Sequence, residues 1–262
     1  MTNPLFFIDN INFNSIFLLL SAFALLASSA YIGRFFYSKR LRGSVLVGDE
    51  SKIIITIALS FLGLLLLLAL SKSITGYNAR QQSQLMEAIS IANAYQRSDL
   101  LTTSNKDKAK VVLDEYLDGR ISFFKSGIKK NEKKWSELTL GRQAQLWHIA
   151  TEEAMLAPSA VIESVLSAYS DLHTSQQKTI ASWRYQIPIT VWVFLIFISI
   201  SINILFGYNA KEGVNNKVLI LLLPSLSAIS LFIIAEIDIP GEGIIHVIPI
   251  DLEALKSIVS KK

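Results

Sequence analysis

Two carboxylates stand at the end of a long apolar run. Glu236 and Asp238 follow the uncharged segment from Val218 to Ala235. A carboxylate beside hydrocarbon is costly unless water or a cation solvates it. Around the axis of an oligomer, such residues would form acidic rings that concentrate cations at the mouth of a pore. The alternative interpretation is that both acids only mark the point where a helix leaves the bilayer.

Uncharged polar residues and a proline interrupt the two neighbouring apolar runs. Asn203 stands among isoleucines and leucines, and in hydrocarbon its amide needs a hydrogen-bonding partner. It serves either as a contact between helices or as part of an ion pathway. Pro224 removes one backbone hydrogen bond and predicts at least a kink. Ser227 is one of the nearby serines that could satisfy a freed carbonyl or line a polar path.

No catalytic, metal or cofactor site is indicated. The three histidines, His148, His173 and His246, lie far apart, and no two of them have the spacing of metal ligands. The chain has no cysteine, which excludes disulfides, thiolate nucleophiles and zinc fingers. No serine lies in a nucleophile-elbow motif, and no glycine-rich phosphate loop occurs. We therefore expect neither an enzyme nor a bound cofactor.

The composition indicates a membrane protein with a polar middle. The chain has 262 residues, of which 51% are hydrophobic, and its mean hydropathy is +0.42, which is too apolar for an ordinary soluble domain. The formal net charge is only +4, and no basic motif interleaved with aromatic residues accompanies it. We therefore expect no nucleic-acid partner.

Four apolar runs are long enough to cross a bilayer, and they predict an all-α membrane protein. An extramembrane helical bundle is inserted between the second and third transmembrane helices, because the second run continues past Gly76 as an amphipathic pattern. The apolar runs are Ser15 to Phe36, Ile53 to Leu70, Ile187 to Gly207 and Val218 to Ala235. The predicted segments are 1–14 (N-terminal), 15–76 (transmembrane helices 1 and 2), 77–186 (bundle), 187–236 (transmembrane helices 3 and 4) and 237–262 (an extended segment and a short helix).

Spacing also predicts details of these helices. Small residues of the first run, Gly33 among them, would let another helix approach closely. In the continuation of the second run, the pattern places Leu85 and Ile89 on the packed face, away from Arg80 and Glu87. One bundle helix is predicted to start at Ser104 and to end at Gly127, within a lysine-rich connector from Lys125 to Lys134. The next helix is predicted from about Leu138 to Met155, with Trp147 pointing inward. Pro158 is predicted to open the last bundle helix.

Several of these segments together resemble the bestrophin-like domain family of bacterial membrane proteins, from about Gly33 to Leu255. The exit of the fourth helix is the most specific part, although Ile239 and Gly241 replace an arginine and a phenylalanine that are common there. The residues that carry the resemblance are Arg80, Glu87, the segment from Ala94 to Leu101, Tyr116 to Arg120, Leu205 to Gly207, Asp238, Pro240 and Gly243.

The resemblance implies distant kinship with bestrophins, which are oligomeric anion channels with four membrane helices per subunit. It leads to the hypothesis of a homo-oligomer around an ion pathway, with Glu236 and Asp238 at one mouth and Asn203 at mid-depth. The expected partners are the lipid bilayer, further copies of the chain and inorganic ions. The alternative is a non-conducting scaffold or sensor whose bundle binds a partner.

Basic residues in the short loops predict the orientation. The loop after the first apolar run contains Lys39, Arg40, Arg42 and Lys52, and the loop after the third contains Lys211 and Lys217. This distribution places the short loops in the cytoplasm, and the helical bundle and both termini outside, in a bacterial inner membrane. Bestrophins instead keep the inserted region in the cytosol.

Overall fold

Helices make up the protein. The computed structural model describes residues 13–40, 49–126, 128–209, 217–240 and 244–261, and within them there are eight helices and no strand. The predicted all-helical class is thereby confirmed. The helices are α1 (Phe13–Arg40), α2 (Asp49–Ser98), α3 (Thr103–Ser126), α4 (Ile128–Leu156), α5 (Ala160–Trp183), α6 (Ile189–Asn209), α7 (Lys217–Asp238) and α8 (Ile250–Val259).

Four of these helices are long and apolar enough to cross a membrane, which confirms the number predicted. The candidate spans lie in α1, α2, α6 and α7 and cover Ser15–Phe36, Ile53–Ser98, Ile189–Asn209 and Ile220–Asp238. The predicted continuation of the second apolar run is also confirmed, because α2 is one helix of 50 residues. Gly76 lies within α2, where an added Cβ would come within 3.1 Å of the carbonyl oxygen of Tyr185.

The chain divides into two compact units. The apolar unit comprises residues 1–75, 186–239 and 243–245, and the bundle unit comprises residues 76–185, 240–242 and 246–262. The division therefore falls within α2. The C-terminal helix α8 belongs to the bundle unit, whereas the candidate spans α1, α6 and α7 belong to the apolar unit.

Close contact between backbones characterises the apolar unit, in which α1 packs against α6 and α7. A Cβ atom on Gly33 would overlap the carbonyl oxygen of Ile204. A Cβ atom on Gly207 would overlap the carbonyl oxygen of Ala30 in the same way. Only glycine lets two helices meet at this distance, so the predicted close approach at Gly33 is confirmed, with α6 as the partner.

A continuous hydrophobic core holds the bundle unit together. In this unit α3 packs against α4 and α8, and α4 packs against α5. Their buried residues recur at helical spacing, and α8 adds Leu252, which is fully buried. Other fully buried members of this core are Ile91, Leu113, Leu146, Val165 and Leu172.

Several predicted helix boundaries in the bundle are wrong. α4 begins at Ile128, so the residues up to Lys134 extend the helix instead of connecting two helices; Gly127 lies outside the described residues. Thr102, and not Ser104, precedes the first turn of α3, because its carbonyl accepts the N–H of Lys106. Ser159 caps α5 by accepting the N–H of Ile162.

A contact with another helix explains why α3 does not start at the predicted residue. The Glu153 carboxylate on α4 accepts the N–H of Thr102 at 2.8 Å and the side-chain amide of Asn105 at 2.9 Å. This anchor from another helix defines the start of α3 better than any local capping residue. Trp147, which was predicted to point inward, is 47% exposed, whereas Leu146 beside it is fully buried.

Candidate functional site

The Asp238 carboxylate ties the end of α7 to the segment that leads into α6. It accepts the backbone N–H of Ile187 at 3.0 Å and 3.2 Å through its two oxygens, and the indole N–H of Trp192 at 3.4 Å. Its side chain is buried. A carboxylate that receives several N–H donors is well solvated by the protein itself. Asp238 therefore has a structural role in the single chain, whatever it contributes to an ion pathway.

Glu236 has a similar arrangement one half-turn earlier. Its carboxylate accepts the backbone N–H of Ile244 at 2.6 Å, and its side chain is also buried. The contact holds the segment that follows α7 against the end of that helix. Pro240 is the second residue after the end of α7, at a position where a proline stops further helical hydrogen bonding. Gly243, predicted as part of the same motif, lies outside the described residues.

Asn203 lies on the face of α6 that meets α1. Leu195, Ser199, Asn203 and Gly207 recur every four residues on one buried face, and Gly207 contacts Ala30 of α1. The side-chain amide of Asn203 donates to the carbonyl of Ser199 at 2.8 Å. In the described part of the chain, the side-chain oxygens of Asn203 and Ser199 have no hydrogen-bond partner.

The polar residues of α7 are also packed inside the apolar unit. Pro224 lies within α7, which continues through it. The hydroxyl of Ser225 donates to the carbonyl of Leu221 at 2.7 Å, and Ser227 is only 3% exposed. The four residues predicted to form an ion pathway are thus all buried in the single chain: Asn203, Ser227, Glu236 and Asp238.

A second set of polar residues in the apolar unit faces outward. Thr56, Ser60, Gly63 and Ser71 of α2 are exposed, and their spacing of four, three and eight residues puts them on one helix face. We call these four residues the α2 stripe. No atom lies within 4 Å of a Cβ built on Gly63. The spacing of Thr56, Ser60, Gly63 and Ser71, which the sequence analysis did not use, is the signal that identifies the stripe.

The opposite face of α2 packs inside the apolar unit. Leu62, Ala69 and Ser73 are buried, and the Ser73 hydroxyl donates to the carbonyl of Ile234 at 3.3 Å. The exposed face therefore includes the α2 stripe, but Leu67, which is 61% exposed, lies on the same face between Gly63 and Ser71, and Leu64 and Leu68 flank it. Small and polar residues on the outer face of a membrane helix are typical of contacts with another helix or with water.

A buried ion pair occupies the bundle unit. Glu87 on α2 and Arg120 on α3 have side chains that are 0% and 1% exposed, and two hydrogen bonds join them. The Thr179 hydroxyl on α5 donates to the same carboxylate at 2.7 Å. Burial by itself lowers the pKa of Arg120, but the charge and the hydrogen bond of Glu87, together with the electrostatic interaction with Tyr116, raise it on balance. The guanidinium group therefore stays charged.

Neutral hydrogen bonds continue this polar interior across the bundle. The side-chain amide of Gln143 donates to the Tyr116 hydroxyl at 3.1 Å and to the Gln176 amide oxygen at 2.7 Å. Gln176 in turn donates to the Thr139 hydroxyl at 2.7 Å. Burial, and after it the charge of Glu87, raises the pKa of Tyr116. The network links α3, α4 and α5 and satisfies groups that would be costly to bury alone.

The ion pair overturns the predicted packed face of α2. Leu85 and Ile89 are exposed, whereas Gln84 and Glu87 are buried. Periodicity assigns charged residues to solvent by default. Here a partner on another helix makes the burial of a charge possible, so Gln84 and Glu87 share the buried face of α2 with apolar residues such as Ile91, whereas Leu85 and Ile89 lie outside.

Several of the residues that carry the family resemblance gather in this interior, whereas Leu205 to Gly207 and Asp238 lie in the apolar unit. Arg80, Glu87, Tyr116 and Arg120 are all buried in the bundle unit. Two more residues from the resembling segment hold the helices together, because Ser98 bonds with the Tyr169 hydroxyl at 2.7 Å and Arg97 donates to the carbonyl of Ser164 at 2.8 Å. The motif is therefore largely a packing motif of the bundle.

Comparison with known proteins gives one match. The family described as Bestrophin-like domain matches residues 20–252, which is most of the chain. No curated protein and no solved structure gives a significant match.

Proposed function

The chain belongs to the bestrophin-like family, and from this premise we propose that it is a multi-pass membrane protein that assembles as a homo-oligomer around an ion pathway. The family match and four candidate spans support a membrane protein related to channels. The proposal adds self-association and conduction, and it concerns inorganic ions. The family match gives no support to an enzymatic activity, and we propose none.

The α2 stripe is the observation that carries the proposal. A helix that only faces lipid gains nothing from outward polar groups, whereas a helix that lines a wet path needs them. The Ser60 hydroxyl donates to the carbonyl of Thr56 at 2.9 Å, so its lone pairs remain available to water or to an ion. Gly63 leaves open space beside it. Several copies with their α2 stripes facing a common axis would enclose a passage that is polar at Thr56, Ser60 and Ser71 and is narrowed by the exposed side chain of Leu67.

The acid pair keeps its predicted place at one mouth of the pathway as part of the proposal. Glu236 and Asp238 are buried and accept backbone N–H groups, so they would act by fixing the end of α7 and by contributing negative potential. Asn203 and Ser227 belong to the interior of the apolar unit. We propose for them a role in helix packing ahead of contact with ions.

The absence of cysteine from the chain makes a direct test of the stripe possible. Single cysteines at Thr56, Ser60, Gly63 and Ser71 would be introduced into protein reconstituted in liposomes, and ion flux measured before and after a charged, water-soluble methanethiosulfonate reagent. We expect the reagent to block flux at these positions. Leu68→Cys is the matched control, because Leu68 is equally exposed on the same helix but apolar.

The outcomes separate the parts of the proposal. No flux from the wild-type protein in liposomes rejects conduction. Flux that the reagent leaves unchanged at all four stripe positions rejects the stripe as the wall. Flux and selectivity that survive Glu236→Gln combined with Asp238→Asn reject the acid pair as a mouth.

A scaffold or sensor is the second candidate, and exposed apolar side chains on the bundle unit favour it. Met155 and Leu156 at the end of α4 are 85% and 81% exposed, which is unusual for large apolar residues in water. A partner protein crosslinked through photoreactive residues at these two positions, from a chain that conducts no ion, would support this function over conduction.

The orientation in a bacterial inner membrane is also part of the proposal. The charge distribution favours cytoplasmic short loops, with the bundle and both termini outside. A cysteine at exposed Gln96 in intact cells tests it. Labelling by a reagent that cannot cross the inner membrane supports the outside location, and labelling only after lysis places the bundle in the cytosol.

A further inference from the structure

A cleft in the bundle unit lies outside the features that the proposed function uses. It has a volume of about 330 Å³ and lies between α2, α3 and α8. This volume is at the lower end of the range for sites that bind small molecules. The lining has two distinct sides, one apolar and one charged, which restricts the chemistry of any molecule that fits.

Residues of α8 form the apolar side. Leu255, Ile258 and Val259 line the cleft, and Ala92 of α2 adds a small apolar surface to it. Ile258 is 61% exposed. A ligand that covered this side would remove apolar surface from water and gain free energy in proportion to the area covered.

The charged side carries one surplus positive charge. Asp99 lines the cleft together with Lys110, and the two form an ion pair of 2.7 Å. Lys106 pairs with the same carboxylate oxygen at 2.8 Å. These two lysines lower the pKa of Asp99 to about 2, so it is fully ionised near neutral pH. One carboxylate thus has two ammonium groups, and Lys110 can leave it without stranding a charge.

The same side carries one surplus negative charge. Asp114 also lines the cleft, and its carboxylate accepts the hydroxyl of Tyr95. In the described part of the chain it forms no ion pair. Lys110 and Asp114 are four residues apart on α3 and therefore lie on one helix face. An ammonium donor and a carboxylate that has a hydrogen bond but no ion pair in the described structure thus stand about one helical turn apart beside an apolar wall.

We propose that this cleft binds a small zwitterion with an apolar body, of the class of the α-amino acids with branched aliphatic side chains. The carboxylate of the ligand pairs with Lys110, its ammonium group pairs with Asp114, and its side chain lies on Leu255 and Ile258. Lys106 keeps its ion pair with Asp99 when Lys110 turns to the ligand.

The test uses the purified full-length protein in detergent and three probes that share the same branched aliphatic group. Isothermal calorimetry would compare L-leucine with 3-methylbutylamine, which lacks the carboxylate, and with 4-methylpentanoate, which lacks the amine. We expect each fragment to bind about fivefold more weakly than L-leucine, the size of effect typical of one exposed charge contact. L-asparagine, which keeps both charges but lacks the apolar body, should also bind more weakly.

Charge-neutralising variants locate the site. Asp114→Asn should weaken the binding of L-leucine and of the amine about fivefold and leave the binding of the acid unchanged. Lys106→Gln should weaken the binding of L-leucine but not that of the amine, because Lys110 is then the only remaining ion-pair partner of Asp99 and is less free to bind the ligand's carboxylate. Lys108→Gln, on the same helix but outside the cleft lining, is the matched control and should change nothing.

Each contrary result overturns the proposal. If 3-methylbutylamine binds as tightly as L-leucine, the ligand does not need a carboxylate, and zwitterions are excluded as the ligand class. No binding of any probe removes the site, and unchanged binding of L-leucine to Asp114→Asn, with its helical circular dichroism intact, places the ligand elsewhere. Ile258→Asn tests the apolar wall at an exposed position where misfolding is not expected, and unchanged affinity there excludes the wall.

Discussion

The helices of the two units are held together by different kinds of contact. The bundle unit encloses the charged pair of Glu87 and Arg120, which satisfy each other. The apolar unit places small residues at helix contacts and brings backbones together at Gly33 and Gly207. A buried charge needs its partner, whereas a close backbone contact needs only the lack of a side chain. The stability of the two units should therefore respond to different kinds of substitution.

The largest expected effect is loss of one member of the ion pair. Arg120→Met leaves the Glu87 carboxylate buried without a cation, which should lower the free energy of unfolding by about 3–5 kcal/mol. The double variant Glu87→Met with Arg120→Met should recover most of this loss. Unfolding of the purified protein in detergent would measure both. A double variant as unstable as the single one would show that Arg120 acts mainly through its contact with the Phe123 ring, 4.4 Å away.

The next effect concerns the contact of α1 with α6. Gly207→Val forces a side chain into the carbonyl of Ala30, so the helices must separate, at a cost of about 1–3 kcal/mol or more. Gly63→Ala is the matched control on a candidate span with open space beside it, and should stabilise the protein by about 0.5–1 kcal/mol. Equal destabilisation by both variants in a thermal melt would contradict the close-contact account.

A smaller effect on stability is expected for Asn203, a buried polar residue of the apolar unit. Asn203→Leu removes an amide oxygen that is buried without a hydrogen-bond partner in the described structure, and should change stability by less than about 1 kcal/mol. Loss of more than twice that amount in the same detergent melt would show that Asn203 holds a water or an ion, and would bring it back into the pathway.

The smallest effect is the acid dependence of the bundle. Lys106 and Lys110 lower the pKa of Asp99 to about 2, so its ion pairs stabilise the fold above the ordinary pKa of an aspartate, and this stability is lost as the pH falls from about 4 to 2. Asp99 is 48% exposed, so we expect less than about 1 kcal/mol. Asp99→Asn should flatten the pH dependence of the melting temperature in this window; an unchanged slope would argue against these pairs in solution.

Much of the architecture could be predicted from local sequence. Four apolar runs and the unbroken helix of α2 follow from length and hydrophobicity alone. Gly33 was correctly expected to permit a close helix contact, although its partner on α6 could not be inferred. The contact joins residues about 170 positions apart, and periodicity carries no information at that distance.

The candidate site was harder to predict for the same reason. The packed face of α2 was predicted wrongly at Leu85, Ile89 and Glu87, because the decisive partner of Glu87 is Arg120, 33 residues away on another helix. Asp238 accepts an N–H from Ile187, 51 residues away, so a carboxylate that suggested an ion site from its position also has a structural role. The α2 stripe, in contrast, was fully encoded in the spacing of Thr56, Ser60 and Gly63.

The contact of α1 with α6 has a consequence for biosynthesis. α1 ends at Arg40 and α6 begins at Ile189, so the ribosome must add about 150 residues before the partner helix exists. At roughly 5–20 residues per second, α1 waits for about 8–30 s with the face around Gly33 uncovered. During this interval lipid, the insertion machinery or a chaperone must shield it, and slow translation of the bundle would prolong the exposure.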